Sequence, residues 1–250
     1  MAVQAHQRRP YFKVAATAQA AGVSHSLWRV SGQPGAGAVP ATGAGAVPTR
    51  TTTGATHIDD PGAGYELSLE RLALAAAQTG TDFCLYDRLV HTSGLSGTIA
   101  TPQAVNTVAI TRPDALGDDV ELFLEVYTAT GSTPANVTAS YTNEGGTAGR
   151  TTPSIAFPVS PVAGTLLRLP LQDGDLGVRS VESVTLSGST GTAGNFGVTL
   201  IRTISLLTLE DLALSRPRVP GQACLAGYVV PISTDTGIIV AQVTLKRVET

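Results

Sequence analysis

Cysteine, lysine, methionine and tryptophan are all scarce in this chain, and each scarcity narrows what it can be. Its 250 residues hold two cysteines, Cys84 and Cys224, with no CxxC spacing to suggest metal or redox chemistry. Two cysteines so far apart suit two buried thiols as well as one disulfide. The single tryptophan, Trp28, and an aromatic content of 5% leave few platforms on which a sugar ring could stack. Charged residues make up only 14% of the chain, and Lys13 and Lys246 are its only lysines. No apolar run approaches the ~20 residues of a membrane-spanning helix. The opening "MAVQAHQRRPYFKVAATAQAAGV" has an early Arg-Arg but no apolar stretch behind it, so synthesis in the cytosol is expected. The match to a glycosylation sequon at Asn136 is then incidental.

What is present points to strands. Hydrophobic content is 42%, enough for a core, and Gly, Thr, Ala and Val dominate. A net charge of −3 gives no general attraction to nucleic acid. Its distribution is uneven: residues 1–58 carry five basic side chains and no acidic one, while residues 59–250 carry eleven basic and nineteen acidic. Such a split suits a basic leader that docks on an acidic surface, its own neighbour's or another protein's.

Residues 1–64 show little periodicity and repeat "GAGAVP" at 35–40 and 43–48, which predicts an extended arm. Gly35 and Gly37 begin like a dinucleotide fingerprint, but Pro40 stands where the third glycine belongs, so no nucleotide site is expected. Arg8, Arg9, Tyr11, Phe12, Lys13, Trp28, Arg29 and Arg50 are the arm's candidate interface residues, since large apolar anchors on a contact-poor segment suit a partner's surface. Packing of the same anchors onto the protein's own body is the alternative.

From Tyr65 onward the pattern is β. "VELFLEVYT" alternates Val120, Leu122, Leu124 and Val126 with Glu121, Phe123, Glu125 and Tyr127, predicting a strand with one buried face. "NVTASYT", "GTLLRLPL", "VESVTLSG", "NFGVTLIRT", "ACLAGYVVPI" and "IIVAQVTLKRV" read likewise, separated by turn-forming stretches such as "TNEGGTAGR", "LQDGDLG" and "STDTG". The first half of "ELSLERLALAAAQTGTDFCLYDRLV" is compatible with a helix, but Leu67, Leu69 and the turn "QTGTD" favour a strand paired with 83–90, and 205–214 is compatible with a short helix. The sum is an all-β protein: an antiparallel β-sandwich of jelly-roll kind over 65–250, with the arm at 1–64. A barrel is the alternative.

The run "LYDRLVHTSGLSGT" crowds Asp87, Arg88, His91, Ser93 and Ser96 into a dozen residues, as a hydrolase might. A nucleophile elbow needs G-x-S-x-G, however, and Gly94-Leu95-Ser96-Gly97 is one spacer short. A strand running into a glycine turn is the simpler expectation, with Asp87 and Arg88 as candidates for a structural ion pair. His6, His25, His57 and His91 are scattered, and Asp173-Gly174-Asp175-Leu176-Gly177 starts like a calcium loop that no later carboxylate completes. No catalytic residue, metal or cofactor is expected.

The segments "SLWRVSGQPGAGAVP", "LYDRLVHTSGLSGT", "ASYTNEGGTAGRTT" and "LPLQDGDLGVRSVESVTLSGSTGTAGNFGVTLIR" resemble a family of tailed-bacteriophage virion proteins. The resemblance covers about residues 24–204 and lies in phrases and texture, not in a catalytic signature. It implies a structural protein of the virion, made in the host cytoplasm. A capsid decoration or cement role is the leading expectation, with the major capsid protein or other virion proteins as partners and homo-oligomers expected. Neither nucleic acid nor membrane is an expected partner. A neck or tail protein, or a receptor- or carbohydrate-binding β-sandwich module, is the alternative.

Overall fold

A computed structural model describes residues 6–14, 20–43, 45–76, 81–105, 108–112, 116–208, 218–231 and 238–249. Among them every regular element is a strand. In chain order these are β1 (His6–Val14), β2 (Ser24–Ser26), β3 (Gly32–Gln33), β4 (Tyr65–Ala76), β5 (Asp82–His91) and β6 (Gln103–Ala104). Next come β7 (Glu121–Thr128), β8 (Asn136–Asn143), β9 (Arg150–Thr151), β10 (Ile155–Ala156) and β11 (Thr165–Leu169). The last are β12 (Val178–Leu186), β13 (Asn195–Thr208), β14 (Arg218–Val219), β15 (Leu225–Val230) and β16 (Ile238–Glu249). The chain forms two compact units, and each is discontinuous in sequence.

The first unit comprises Met1–Ala38, Pro48–Asp87 and Thr203–Thr250. Its main sheet runs β14-β4-β16-β1-β3. Leu67, Leu69 and Leu72 of β4, Val243 and Leu245 of β16 and Tyr11 of β1 project from this sheet into a core. Phe83 and Leu85 of β5, Leu225 and Val229 of β15, and Ile204 and Leu207 of β13 close that core from the other layer. The β4 strand expected at Leu67 and Leu69 is present, but its partners are β16 and β14, while β5 pairs with β15.

The predicted arm contributes a full strand to this unit. β1 pairs with β16 over nine consecutive positions, from His6 opposite Lys246 to Val14 opposite Ile238. Its alternation inverts what residue type alone suggests, because Lys13 points inward and Phe12 outward. The buried ammonium is tolerated because it is solvated by backbone: Lys13 Nζ donates to the carbonyls of Val30 (2.9 Å), Pro34 (2.8 Å) and Gly35 (3.4 Å). Burial nevertheless pulls its pKa down to about 8. Trp28 is buried too, and its Nε1 donates to Ala38 O at 3.1 Å. A Cβ on Gly37 would stand 2.2 Å from the indole, so this glycine of the first "GAGAVP" copy is what admits the ring.

The second unit comprises Val39–Val47 and Arg88–Arg202. One layer is β10-β8-β12-β6 with β9 also on β8, and the other contains β11, β7 and β13 in that order. Val137, Ala139 and Tyr141 of β8 and Val178, Val181, Val184 and Leu186 of β12 face Leu122, Leu124 and Val126 of β7 and Phe196, Val198 and Leu200 of β13 across one core. This is the expected antiparallel sandwich.

β7 departs from the one-faced expectation. Phe123, Glu125 and Tyr127 are as buried as Leu122, Leu124 and Val126, so both faces of the strand are covered. The boundary predicted near residue 64 has no counterpart in the two units, because 1–38 and 48–87 belong to one of them and 39–47 to the other. Of the segment compatible with a helix, Ser205–Thr208 is the end of β13, and 209–214 lies outside the described residues. The turn predicted at "STDTG" also lies outside them.

Candidate functional site

β5 carries the polar run, and its burial explains why alternation says little about it: from Phe83 to His91 every residue is buried. Asp87 and Arg88 fall on either side of the division between the units. Asp87 Oδ1 accepts the backbone N–H of Cys224 at 2.8 Å. Cys84 and Cys224 are both buried free thiols.

Arg88 forms the centre of a sealed polar cluster in the second unit. Its Nη2 makes a short ion pair with Glu125 Oε2, and both side chains are almost fully excluded from solvent. Thr199 Oγ1 donates to the same carboxylate oxygen at 3.1 Å, and Tyr127 OH does so at 3.3 Å. Arg112 Nη2 reaches the backbone carbonyl of Arg88 at 2.7 Å. Glu125 Oε1 is buried without a hydrogen-bond partner, so the pair is not fully compensated. Burial, with Glu125's charge adding to it, pushes the Tyr127 hydroxyl far above its ordinary range, so it stays protonated.

His91 is fixed by the same arginine. Arg88 Nε lies 2.9 Å from His91 Nδ1, and because a guanidinium only donates, Nδ1 must be the acceptor and the ring neutral. Burial first, and then the Arg88 charge, bring its pKa down to about 2. The serines are occupied elsewhere: Ser93 Oγ donates to Pro40 O at 2.6 Å, and Ser96 Oγ lies 2.9 Å from Thr98 Oγ1. Gly94, at φ +96°, has the left-handed backbone the turn requires, and its N–H donates to Asn195 Oδ1 at 2.8 Å. Chemically, the cluster holds strands in register.

A pH dependence follows. The unfolded His91 takes up a proton below about pH 6.5 while the native ring does not, so native stability falls as pH drops from that point towards about 2. The slope reaches about 1.4 kcal/mol per pH unit. His91→Gln, which can still accept from Arg88, is expected to flatten the stability profile between about pH 6.5 and 4. Denaturant titrations at several pH values check this; equal slopes for the two proteins would contradict it.

The calcium-like loop is occupied by an arginine. Arg150 donates to both oxygens of Asp175, Nε to Oδ2 at 2.9 Å and Nη2 to Oδ1 at 3.0 Å, and Asn143 Nδ2 adds a bond to Oδ1 at 2.8 Å. Tyr141 OH also donates to Oδ2. These donors, the arginine foremost, hold the Asp175 pKa near 2. Among the described residues no group of three or more His, Cys, Asp or Glu side chains is placed to hold a metal ion. The Asp175 network stabilises the fold above about pH 4, and its contribution is lost as pH falls through about 2. Asp175→Asn is expected to lower stability at pH 7 and to show less further loss between pH 4 and 2, measured by thermal melts.

The candidate interface residues divide by burial. Tyr11, Lys13 and Trp28 lie inside the first unit. Arg9 pairs with Asp59 (2.6 Å), and Arg50 pairs with Asp60 (2.7 Å) and donates to Gly221 O. Arg8, Phe12 and Arg29 are exposed. Of the protein's aromatic side chains Phe12 alone is exposed, while Tyr65 and Tyr228 are half-buried. The residues that sequence reasoning missed are Glu125, Tyr127, Thr199 and Arg112. The available signal was the pair of aromatics, Phe123 and Tyr127, on the face of β7 assigned to solvent.

No protein-family model matches the chain, and no curated protein matches it. Among solved structures it is similar to the VP2 subviral particle of infectious bursal disease virus, at 8% identity and a TM-score of 0.24 over 99% of this chain and 81% of that one. T=1 particles derived from that virus match at 9% identity and a TM-score of 0.22, over 99% and 79%. Carbohydrate-binding modules of the β-sandwich superfamily match at 10% identity and a TM-score of 0.20, over 57% of each chain. The structural neighbours are thus viral capsid proteins and a carbohydrate-binding β-sandwich.

Proposed function

We propose that this chain is a structural component of a tailed-phage virion, a head decoration or cement protein that binds the major capsid lattice and neighbouring copies of itself. The observation that carries the reading is the likeness of its phrases to that virion family over about residues 24–204, which spans parts of both units. The use of its residues agrees with it. The run richest in catalytic residue types, Asp87 to Ser96, is spent on an ion-pair cluster and a turn that rigidify strands. In this reading the chain carries out no reaction.

Binding to a lattice needs exposed groups, and the leader supplies Arg8 and Phe12 on the open face of β1. Many weak copies on one lattice gain by multivalency. The test is co-sedimentation of the purified protein with particles of the encoding phage that lack it. Saturable binding at a fixed ratio to the capsid protein is expected. Failure to bind, with retention on a glycan array, would replace this reading by a carbohydrate-binding one.

A further inference from the structure

The outer face of the first unit's sheet is graded along its strands. Register places Arg71 of β4, Thr244 of β16 and Arg8 of β1 in one row, with Lys246 opposite His6 at the next position along that face. The row beyond Arg8 holds Ala73, Gln242 and Pro10, and beyond that Val240 lies opposite Phe12, with Val14 following. Arg8, Arg71, Pro10, Gln242 and Val14 are exposed, and Phe12 and Val240 are 41% and 42% exposed. The face is thus cationic at one end and apolar at the other, and the carboxylates at its cationic end are paired, Glu70 with His6 and Glu66, opposite Val248, with Arg218.

The second unit carries a surface of opposite charge. An isolated bridge between Asp118 and Gly177, with Asp119 N donating to Leu176 O (3.3 Å) and Val178 N to Gly117 O (3.1 Å), joins two loops. Leu116 and Leu176 stand on these loops 48% and 73% exposed, Leu176 the most exposed large apolar side chain described. Asp118, Asp119 and Asp173 are exposed beside them. The local cations are engaged: Arg150 holds Asp175, and Arg179 Nε donates to the carbonyls of Leu116 and Glu144. Glu144 accepts from Gly177 N.

We propose that these two surfaces meet between copies of the chain, the cationic–apolar sheet face of one copy seating on the acidic double-leucine loops of the next. The proposal rests on the structural-protein reading only in supplying the contact between neighbours that such a protein uses. Charge complementarity selects a second copy as the occupant: Arg8, Arg71 and Lys246 face Asp118, Asp119 and Asp173, and Phe12, Val14 and Val240 cover Leu116 and Leu176. Because the surfaces differ, the contact is heterologous and propagates into a ring or an open array.

Sedimentation velocity of the full chain over a concentration series, at low and high salt, tests it. The native protein is expected to associate, more weakly at high salt. Arg8→Glu/Arg71→Glu and Asp118→Arg/Asp173→Arg are each expected to associate about tenfold or more weakly. An equimolar mixture of the two regains association, since one retains the acidic loops and the other the basic face. Far-UV circular dichroism and thermal melts check that both variants fold. A monomeric native protein, loss in only one variant, or a mixture that stays monomeric would overturn the contact. Co-sedimentation with particles is scored separately, so that failure leaves the virion assignment to its own experiment.

Discussion

Glu125→Ala is expected to cost about 3–5 kcal/mol of stability, the usual penalty for leaving a buried charge without its partner. Arg88 cannot shed its proton, and its side chain is fully buried, so the guanidinium is stranded when the carboxylate is removed. Tyr127 OH and Thr199 Oγ1 lose an acceptor in the same change. Replacing both members of the pair should cost less than the two single changes together, because no lone charge is left behind. Arg88→Met combined with Glu125→Leu is therefore expected to recover part of the loss. Urea titrations of the native protein, Arg88→Met, Glu125→Leu and the double variant measure the coupling directly. A Glu125→Ala protein within about 1 kcal/mol of the native one would show that Arg88 is not sealed as described.

Trp28→Ala is expected to cost about 3–5 kcal/mol in the first unit, as truncation of a fully buried aromatic does. The cavity cannot collapse easily, because the indole rests on glycine backbone at Gly37 and Gly54. Gly37→Ala attacks the same packing from the other side, since its added methyl would overlap the ring. Trp28 is the protein's only tryptophan, so its emission reports on this unit alone. The native emission should be blue-shifted and move to the red as the unit unfolds, and Gly37→Ala should bring that transition to lower denaturant. A red-shifted native emission would instead mean that Trp28 is free to act as the arm's surface anchor.

The strands of the second unit were legible because each is short, alternating and bounded by Gly, Asp, Ser or Thr turns. "NVTASYT" became β8 and "VESVTLSG" the end of β12 almost as read. β1 was not legible. "HQRRPYFKV" has charged or polar residues on both faces, and the group that should mark its solvent side, Lys13, is buried against three backbone carbonyls rather than a carboxylate. Its partner, β16, lies some 230 residues along the chain, beyond any local pattern. The division into units was hidden for a related reason. Each unit is assembled from separated segments, and the "GAGAVP" repeat that looks like a linker gives Gly37 to the Trp28 pocket and Ala46 to a bridge with His91. The polar run is legible as strand and turn, but the carboxylate that pairs with Arg88 sits on a strand whose second face only the fold reveals as buried.

The acid behaviour separates the two polar clusters. His91 sets the loss of stability below about pH 6.5, and Asp175 adds to it only below about pH 4, as pH falls towards about 2. Variants at the two positions should therefore alter different limbs of one profile.

The proposed head-decoration role is tested most directly by negative-stain imaging of virions labelled with antibody against this chain. Regular label over the head surface of intact particles, at many copies per particle, is expected under that proposal. Unlabelled virions, with the protein recovered only in the soluble lysate, would contradict it.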